Sequence, residues 1–464
     1  MQLSELAGKK IAILGAGREA RAIRTVLAQQ LPQLAVDVIC EQTPNEITWL
    51  LPELGDQLRV AVFSEAELGV YDVLIKSPGI SPYRESMCKA VADGAVLTSG
   101  TNIWFAEHPQ AKTICITGTK GKSTSSALLS HLLSSMGQQT ELAGNIGIPL
   151  LERWNASADQ WVIEMSSFQA ADFSGKADIA VLVSLFAEHL DWHGNKQRYY
   201  NDKLNLLENS KIAVVNAADQ NILELTSKLN NRVLFNHKAG WQQRFGDIYF
   251  AGQLVCESQH LPLRGHHNAS NLCAVLTVID LLGLDARASL QALPGFVSLP
   301  HRLQTLTICD GVEWINDSIA TTPAAVIAGI EAMPSGAPLV LLLGGYERGT
   351  DWQLFIDFLQ RQIELQEPLP VFAIIGLPDN GARILKEIKA AGIEPAGGVY
   401  LVDSLKVAVT KARSITHSLA ATNPSGLSAV VLLSPGAPSF SEFENFEQRG
   451  EMFRQYADLQ SRCD

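Results

Sequence analysis

Short apolar segments alternate with helical segments along nearly the whole chain, and this alternation constrains the fold more than any other feature of the sequence. Four of the apolar segments, KKIAILG, KTICITG, QWVIEMSS and PLVLLLGG, end in glycine or polar residues. Strands that alternate with helices predict parallel sheets with helices on both faces. Ligands bind such sheets at the carboxyl ends of the strands, so the residues that follow the strands are the first candidates for function.

The alternation falls into three blocks, and we predict an α/β domain for each. With 464 residues, 47% of them hydrophobic and 18% charged, the chain is long enough for about three domains of ordinary size. The predicted boundaries are residues 1–105, 106–299 and 300–464. The segment LPGFVSLPHRLQTL, at the second boundary, is typical of a connector.

Charge and cysteine content indicate which classes of protein this chain is unlike. The net charge of −12 argues against wholesale nucleic-acid binding, which needs a basic face. The seven cysteines show no paired metal spacing and are typical of reduced thiols in a cytosolic protein. The sequence contains neither a signal peptide nor an apolar run of the ~20 residues that a membrane span needs. We therefore expect a soluble cytoplasmic protein with no nucleic-acid or membrane partner.

A glycine turn follows the first predicted strand. Gly15, Ala16 and Gly17 begin a weak dinucleotide-type fingerprint in which Ala20 replaces the third glycine. Such a turn lets backbone amides at a helix N-terminus approach a diphosphate. Glu41, after the next strand, is a candidate for the acidic residue that such sites carry. A glycine turn used for its geometry alone is the alternative.

The segment GTKGKST, residues 118–124, resembles a phosphate loop but lacks the usual spacing. A standard P-loop would require glycine at Ile116. The chemistry of such a loop is nevertheless present. Gly118 and Gly121 free backbone amides for phosphate oxygens, Lys122 supplies a cation, and Ser123 offers a hydroxyl to Mg²⁺. Because the segment lies between an apolar strand and a helical run, a solvent-exposed turn is the weaker interpretation.

The other candidate residues each have an ordinary structural interpretation as well as a functional one. Glu164 ends a predicted strand of the same domain, where a carboxylate suits Mg²⁺ but is also typical of a solvated acid. The segment EHLDWHGN brings Glu188, His189, Asp191 and His193 close together, without the spacing of a familiar zinc motif. Seven further residues read as surface or capping residues when each is taken alone, namely Lys203, Asn268, Asn271, His301, Arg302, Asp317 and Arg348.

Taken in order, these motifs resemble the Mur ligases, most closely the branch that adds glutamate to UDP-N-acetylmuramoyl-L-alanine. The resemblance covers nearly the whole chain, and the ordered series is far more specific than any one motif. The series is GTKGKST (118–124), AGNIGIPLL (143–151), EMSSFQ (164–169), EHLDWHG (188–194), NDKLNLLEN (201–209), GHHNASN (265–271), PHR (300–302), NDSIATT (316–322), LLGG (342–345) and LLSPGAPSFSEFENFEQRG (432–450).

The resemblance implies an α/β fold with three domains. It implies a Rossmann-like N-terminal domain that binds the UDP end of the substrate, so the glycine turn is expected to meet UDP rather than NAD. The central domain is expected to be a P-loop ATPase with a parallel-rich sheet. The C-terminal domain is expected to be Rossmann-like, to close over ATP and to carry much of the amino-acid site.

The resemblance also implies roles for individual residues. The implied catalytic residues are Lys122, His189 and Lys203. The implied ATP-binding residues are Gly118, Thr119, Lys120, Gly121, Lys122, Ser123, Thr124, Asn271, Arg302 and Asp317. The implied UDP-substrate-binding residues are Gly15, Ala16, Gly17, Ser77, Asn145 and Ser166. The implied glutamate-binding residues are Thr321, Arg348, Ser439 and Phe446. The implied ligands of two Mg²⁺ ions are Ser123, Glu164, His189 and a carbamylated Lys203.

The implied reaction is ATP-dependent amide formation through an acyl phosphate, in peptidoglycan precursor synthesis, by a monomeric enzyme. Two departures from the pattern of the common D-glutamate enzymes bear on which enantiomer of glutamate is bound. Ile319 occupies the place of a lysine in the common D-glutamate enzymes, and Arg348 replaces a lysine that clamps a glutamate carboxylate. An arginine for lysine exchange is not conservative at such a clamp. The altered pocket favours the L-glutamate-adding branch over the D-glutamate enzyme.

Three further alternatives remain at this point. Folylpolyglutamate synthetase is a relative whose loop carries an additional glycine after the lysine, which is absent here. An NAD-dependent oxidoreductase built on the Gly15 turn leaves the loop at residues 118–124 unexplained. A non-catalytic nucleotide-binding regulator is consistent with Ile319, but the joint presence of Lys122, Glu164, His189 and Lys203 argues against it.

Overall fold

The computed structural model describes residues 1–44, 47–309, 311–334, 336–420, 429–440 and 442–459. The chain divides into two compact units. The first contains Met1–His260 and Ser270–Phe296, and the second contains Leu261–Ala269 and the chain from Val297 onward. The predicted α/β class is confirmed in both units.

The first unit begins with a five-stranded parallel sheet in the order β3-β2-β1-β4-β5. Its strands are β1 (Ile11–Leu14), β2 (Asp37–Cys40), β3 (Gln57–Val60), β4 (Val73–Lys76) and β5 (Val96–Ser99). Its helices are α1 (Arg18–Gln30), α2 (Glu65–Leu68), α3 (Glu85–Ala92) and α4 (Gly100–Glu107). Every residue of β1 and β4 is buried, as expected for a parallel sheet covered on both faces.

The second sheet of this unit has six parallel strands in the order β11-β10-β9-β6-β8-β7. Its strands are β6 (Thr113–Thr117), β7 (Thr140–Gly144), β8 (Gln160–Glu164), β9 (Ala177–Leu182), β10 (Ser210–Asn216) and β11 (Arg232–Phe235). Its helices are α5 (Lys122–Ser135), α6 (Ser167–Ala171), α7 (Leu190–His193), α8 (Lys196–Glu208) and α9 (Gln220–Leu225). β6 is central, with β9 and β8 on its two sides, so the loop after it opens at the point where ligands bind such sheets.

A small antiparallel sheet follows, which the alternation of strands and helices did not predict. Its strands are β12 (Trp241–Arg244), β13 (Asp247–Phe250) and β14 (Gln253–Cys256). The first hairpin turns at Phe245 and Gly246, both with positive φ, the backbone that two-residue hairpins require. Two helices, α10 (His266–Leu281) and α11 (Ala286–Ser289), follow this sheet.

The second unit is built on a six-stranded sheet in the order β15-β16-β20-β17-β18-β19. Its strands are β15 (Gln304–Cys309), β16 (Val312–Asn316), β17 (Leu339–Leu343), β18 (Ala373–Gly376), β19 (Val399–Leu401) and β20 (Ala429–Leu433). Its helices are α12 (Pro323–Glu331), α13 (Gln353–Glu364), α14 (Gly381–Ala390), α15 (Leu405–Ala420) and α16 (Phe446–Leu459). Only the pairing of β15 with β16 is antiparallel, so this sheet is parallel-rich rather than wholly parallel.

Apolar strands form the buried core of each sheet. β17 and β20 are buried along their whole length, and α13 packs on them through Phe355 and Leu359. In the part of the chain that the structure describes, no helix has both the length and the hydropathy of a membrane crossing.

Candidate active site

The loop between β6 and α5 has the backbone of a phosphate-binding turn. Gly121 precedes α5 with a φ of +87°, and a Cβ at this position would lie 2.5 Å from Oδ1 of Asn271. Only glycine fits both this backbone and this close approach. The helix begins at Lys122, so the amino end of α5 lies at this loop. The backbone amides at that end and the helix dipole favour an anion here.

Side chains of the second sheet hold this loop in place. The Thr119 amide donates to the Ser184 carbonyl (2.9 Å), and the Lys120 amide donates to the Ser184 hydroxyl (2.9 Å). The Thr119 hydroxyl lies 2.8 Å from the Tyr199 hydroxyl and accepts from the Phe186 amide (3.0 Å). The loop is therefore anchored at two consecutive residues, Thr119 and Lys120.

Two lysines converge on one carbonyl oxygen of the loop. Lys122 Nζ donates to the carbonyls of Gly118 (2.9 Å) and Thr119 (3.1 Å). Lys203 Nζ also donates to the Gly118 carbonyl (2.8 Å), and it lies 3.3 Å from the Thr117 hydroxyl. Lys203 is only 1% exposed, so its interpretation as a surface residue is wrong. Burial, and then the neighbouring Lys122 ammonium, hold the pKa of Lys203 well below its usual value.

Glu164, at the end of β8, carries an unpaired oxygen. Its side chain is fully buried, and Asn145 Nδ2 donates to its Oε1 at 2.6 Å. Oε2 is buried and has no hydrogen-bond partner among the residues that the structure describes. A buried acceptor left unpaired costs about 1–3 kcal/mol, so this oxygen fits a bound cation. Ser123, in the first turn of α5, is also buried.

His189 precedes α7 in the left-handed region, with a φ of +53°. Its side chain is about half exposed, and Nε2 lies 3.9 Å from a Glu188 oxygen. Burial lowers the pKa of His189, which favours the neutral imidazole that metals bind. Burial would raise the pKa of Glu188, but the Lys120 ammonium at 2.7 Å outweighs it and the net direction is downward. Lys120, a residue of the phosphate loop, therefore forms an ion pair with Glu188.

No complete metal cage is assembled from ordinary side chains. Among the described residues, no group of three or more His, Cys, Asp or Glu side chains is placed to hold a metal ion.

Ser166 uses its hydroxyl to cap α6, accepting from the Gln169 amide at 3.1 Å. Among the sequence-predicted residues, Asn145 and Glu164 are in direct contact, and Lys122 and Lys203 meet at one carbonyl oxygen.

The glycine turn of the first sheet forms a second polar site. Gly15 follows β1 with a φ of +94°, and a Cβ there would lie 2.8 Å from the Ser77 hydroxyl. That hydroxyl is buried and has no hydrogen-bond partner in the described part of the chain. Gly17 precedes α1, and Glu19 lies in its first turn. Burial, followed by repulsion from Glu152, raises the pKa of Glu19 to about 7, which reduces negative charge beside the turn.

In the second unit, Asp317 follows β16 and is buried. It accepts from the Ser434 hydroxyl (2.9 Å) and from the Leu303 amide (3.3 Å). Burial raises its pKa to about 7 despite these two donors. Arg302, predicted with it, lies in the same unit, whereas Asn271 lies in the first.

The predicted glutamate residues of this unit differ in exposure. Ser439 is buried, Thr321 and Phe446 are half-buried, and Arg348 is exposed. Sequence reasoning missed Arg449, which is 1% exposed and donates to carbonyl oxygens of Ala437 and Pro438. Its place in the EQRG segment was the available signal, but a charged residue in sequence gives no sign of burial.

Comparisons with known proteins agree with this geometry. The Mur ligase middle domain matches residues 116–279, which include the phosphate loop, Glu164 and Lys203. The chain is 41% identical over 472 residues to the UDP-N-acetylmuramoyl-L-alanine–L-glutamate ligase of Xanthomonas euvesicatoria pv. vesicatoria, covering 98% of this chain and 97% of that one. It is 39% identical to the protein of the same name from Xylella fastidiosa strain Temecula1, covering 98% and 96%. This chain belongs to the Mur ligase family.

The fold comparison points the same way. The UDP-N-acetylmuramate-alanine ligase of Thermotoga maritima matches with a TM-score of 0.58 and 18% identity, covering 97% of this chain and 100% of that chain. The expected resemblance to the Mur ligases is therefore confirmed. The relatives named above carry L-glutamate in their names, in agreement with the branch that Arg348 and Ile319 favour. They give no support to the oxidoreductase interpretation.

Proposed function

We propose that this protein joins L-glutamate to UDP-N-acetylmuramoyl-L-alanine, with ATP as the energy source, in peptidoglycan precursor synthesis. The observation that carries the proposal is the 41% identity, over 98% of the chain, to a ligase named for this reaction. The phosphate loop beside an unpaired Glu164 oxygen supports the same chemistry. The D-glutamate reaction is the second candidate, because the rest of the site is common to both branches.

We assign the ATP phosphates to residues 118–124. The backbone amides at the start of α5 and the ammonium of Lys122 are suited to the triphosphate, and Lys122 Nζ donates to two carbonyls of the loop. We assign Asn271, Arg302 and Asp317 to the remainder of the nucleotide.

We assign two Mg²⁺ ions to Ser123, Glu164, His189 and Lys203. The unpaired Oε2 of Glu164 and the lowered pKa of His189 fit this assignment. Burial lowers the pKa of Lys203, which favours the neutral amine, and a neutral amine adds to CO₂ to form a carbamate with release of one proton. The carbamate would add an anionic ligand to the carboxylate of Glu164, since no group of three or more His, Cys, Asp or Glu side chains is placed to hold a metal ion in the described part of the chain. Bound Mg²⁺ would neutralise phosphate charge during the transfer.

The reaction divides into two steps. The alanyl carboxylate oxygen bonds to the γ-phosphorus of ATP as the bond to the β,γ-bridging oxygen breaks, which yields ADP and an acyl phosphate. The neutral amine of glutamate then bonds to the acyl carbon, loses a proton, and the carbon–oxygen bond to phosphate breaks. Lys122 is the cation that this chain contributes to the transferring group.

The remaining assignments concern the UDP substrate in the first unit and glutamate in the second. Gly15, Ala16, Gly17 and Ser77 bind the UDP diphosphate, where the unpaired Ser77 hydroxyl is a donor. Asn145 and Ser166 contact the muramoyl-alanyl part. The glutamate carboxylates meet four residues of the second unit, Thr321, Arg348, Ser439 and Phe446. The division into domains at residues 1–105, 106–299 and 300–464, and the monomeric state, remain predictions.

Product analysis with each glutamate enantiomer, and with a folate acceptor in a parallel reaction, tests the function. The purified protein is incubated with ATP, Mg²⁺ and UDP-N-acetylmuramoyl-L-alanine, and L- and D-glutamate are supplied in separate reactions. We expect phosphate release and a product heavier by one glutamyl residue with L-glutamate. Product from D-glutamate alone would favour the second branch. Turnover only with a folate acceptor, or none at all, would contradict the proposal and leave the regulator alternative.

A further inference from the structure

Four side chains of the first unit form a continuous hydrogen-bonded chain. The Tyr83 hydroxyl donates to Oδ1 of Asp202. The other oxygen of Asp202 lies 2.5 Å from Nδ1 of His193, and Nε2 of His193 lies 3.0 Å from the Ser167 hydroxyl. Both ring nitrogens of His193 therefore have a hydrogen-bond partner, the Asp202 carboxylate at one end and the Ser167 hydroxyl at the other. His193 is 0% exposed, Asp202 6% and Ser167 5%.

Two members of this network adjoin residues assigned above to the reaction, and the other two lie a few residues from one. Asp202 immediately precedes Lys203 on α8, and Ser167 immediately follows Ser166. His193 ends the one-turn helix α7, and His189, in a left-handed conformation, immediately precedes that helix. Tyr83 belongs to the segment after Ser77. The network therefore joins four separate stretches of chain at the places where they carry site residues.

Trp192 supplies a second connection between the same stretches. Its indole N–H donates to the Gly79 carbonyl (2.9 Å), and its own carbonyl accepts from the Ser81 hydroxyl (3.0 Å). The indole stacks on Phe168 with ring centroids 4.5 Å apart, and Phe168 contacts the His189 ring edge-on at 5.1 Å. The short α7 turn is thus fixed to residues 79–81 on one side and to α6 on the other.

We propose that the Tyr83–Asp202–His193–Ser167 network is a positioning network, which holds His189 and Lys203 in register with the substrate-binding segment that follows Ser77. This inference rests on the proposed function. Groups that orient metal ligands typically change metal affinity by ~10- to 100-fold when they are removed. A one-turn helix and a left-handed histidine have little stability of their own, so this external fixation is what orders the ligand.

The same geometry resembles a Ser-His-Asp catalytic triad, and a hydrolase is the competing interpretation. A cleft of about 420 Å³ lies beside the network and is lined by Tyr83, Trp192 and His193. Ser167 is almost wholly buried at the start of α6, on the other side of the imidazole. A nucleophile needs access to a carbonyl carbon, so the burial of Ser167 favours positioning over hydrolysis.

Binding of Mn²⁺ alone, measured by electron paramagnetic resonance, tests the proposal without turnover. We expect Tyr83→Phe to weaken Mn²⁺ binding at one site by ~10-fold, and Asp202→Asn to weaken it at least as much. Tyr71→Phe is the matched control, because the Tyr71 hydroxyl also donates to a carboxylate, that of Asp37 at 2.5 Å, away from the network. It should bind Mn²⁺ as the wild type does.

A second readout separates positioning from a general loss of structure. The carbamate signal of Lys203, observed by ¹³C NMR in ¹³C-bicarbonate, should fall in Asp202→Asn and persist in Tyr71→Phe. The KM for the UDP substrate should rise ~10-fold in Tyr83→Phe while the KM for ATP stays unchanged. Mn²⁺ affinity and carbamate equal to wild type in both network variants, or labelling of Ser167 by a fluorophosphonate, would overturn the proposal. Failure of the proposed function would instead appear in the wild-type protein, as absence of the glutamyl product.

Discussion

Two buried cations show how differently the two units use a positive charge. Lys203 in the first unit and Arg449 in the second are each 1% exposed. In the described part of the chain, neither is within ion-pair distance of a carboxylate. Lys203 has one good hydrogen bond and one long contact, whereas Arg449 makes four, to Ser318, Ala437 and Pro438. A guanidinium that uses four of its five donors is a structural group, whereas an amine with one good hydrogen bond is available for chemistry.

The physical reason lies in the two head groups. A guanidinium keeps its charge even when burial lowers its pKa, as it does for Arg449, and its planar fork can serve several carbonyls at once. An ammonium is strongly hydrated, so burial without partners shifts it to the neutral amine. The comparison therefore predicts that Lys203 variants fail in activity and that Arg449 variants fail in stability.

The largest expected effect is on turnover. Lys203→Ala should reduce kcat by at least ~100-fold, because it removes a proposed metal ligand. Acetate or formate should restore part of the activity by replacing the missing carboxylate. Lys211→Ala is the control, since Lys211 is an exposed lysine of the same unit, paired with Asp178 at 2.6 Å. Full activity of Lys203→Ala in a phosphate-release assay would refute the carbamate assignment.

The next effect is on folding. Arg449→Met should lower the free energy of unfolding by about 3 kcal/mol, because buried carbonyls lose their donor. Urea unfolding measures this change. Arg454→Met, on the same helix, should change stability by less than about 0.5 kcal/mol, since its ion pair with Glu451 is exposed. Equal stability of the two variants would remove the distinction drawn between Lys203 and Arg449.

Asp317 makes stability depend on pH. Its pKa is about 7 in the folded protein and about 3.9 in an unfolded chain, so only the folded protein holds the proton between these values. Stability should therefore fall as pH rises from about 4 to 7, by up to ~1.4 kcal/mol per pH unit. Asp317→Asn should lack this contribution. If the free energy of unfolding changed with pH in the same way for the wild type and Asp317→Asn, Asp317 would already be ionised at low pH in the folded protein.

The smallest effect on stability is expected at Arg348, an exposed side chain. Arg348→Ala should change the free energy of unfolding by less than about 0.5 kcal/mol. It should nevertheless raise the KM for glutamate ~10-fold if the guanidinium holds a carboxylate, because charge-assisted hydrogen bonds contribute about 1.5–3 kcal/mol. Arg348→Lys keeps the charge but loses the bidentate geometry, so an intermediate KM is expected. An unchanged KM in both variants would exclude Arg348 from the glutamate site.

Much of the fold follows from local patterns. Continuous apolar runs such as those of β6, β8 and β17 predict buried parallel strands, and the predicted strands are present. The hairpins at residues 241–256 escaped prediction because their strands are short and only partly buried, so they lack an apolar run. The antiparallel partner of β16 was absorbed into the predicted connector for the same reason.

For the site, the sequence by itself determined the residue types and their order, including the glycines at positions 118 and 121, the lysine at 122 and the glutamate at 164. Glycine turns and strand ends are local features, so they can be read from neighbouring residues. Only the tertiary structure decided that Lys203 is buried against the Gly118 carbonyl, that Glu164 keeps an unpaired oxygen, and that His193 joins Asp202 to Ser167. Burial and long-range hydrogen bonds depend on which distant segments meet, and no local pattern encodes that choice.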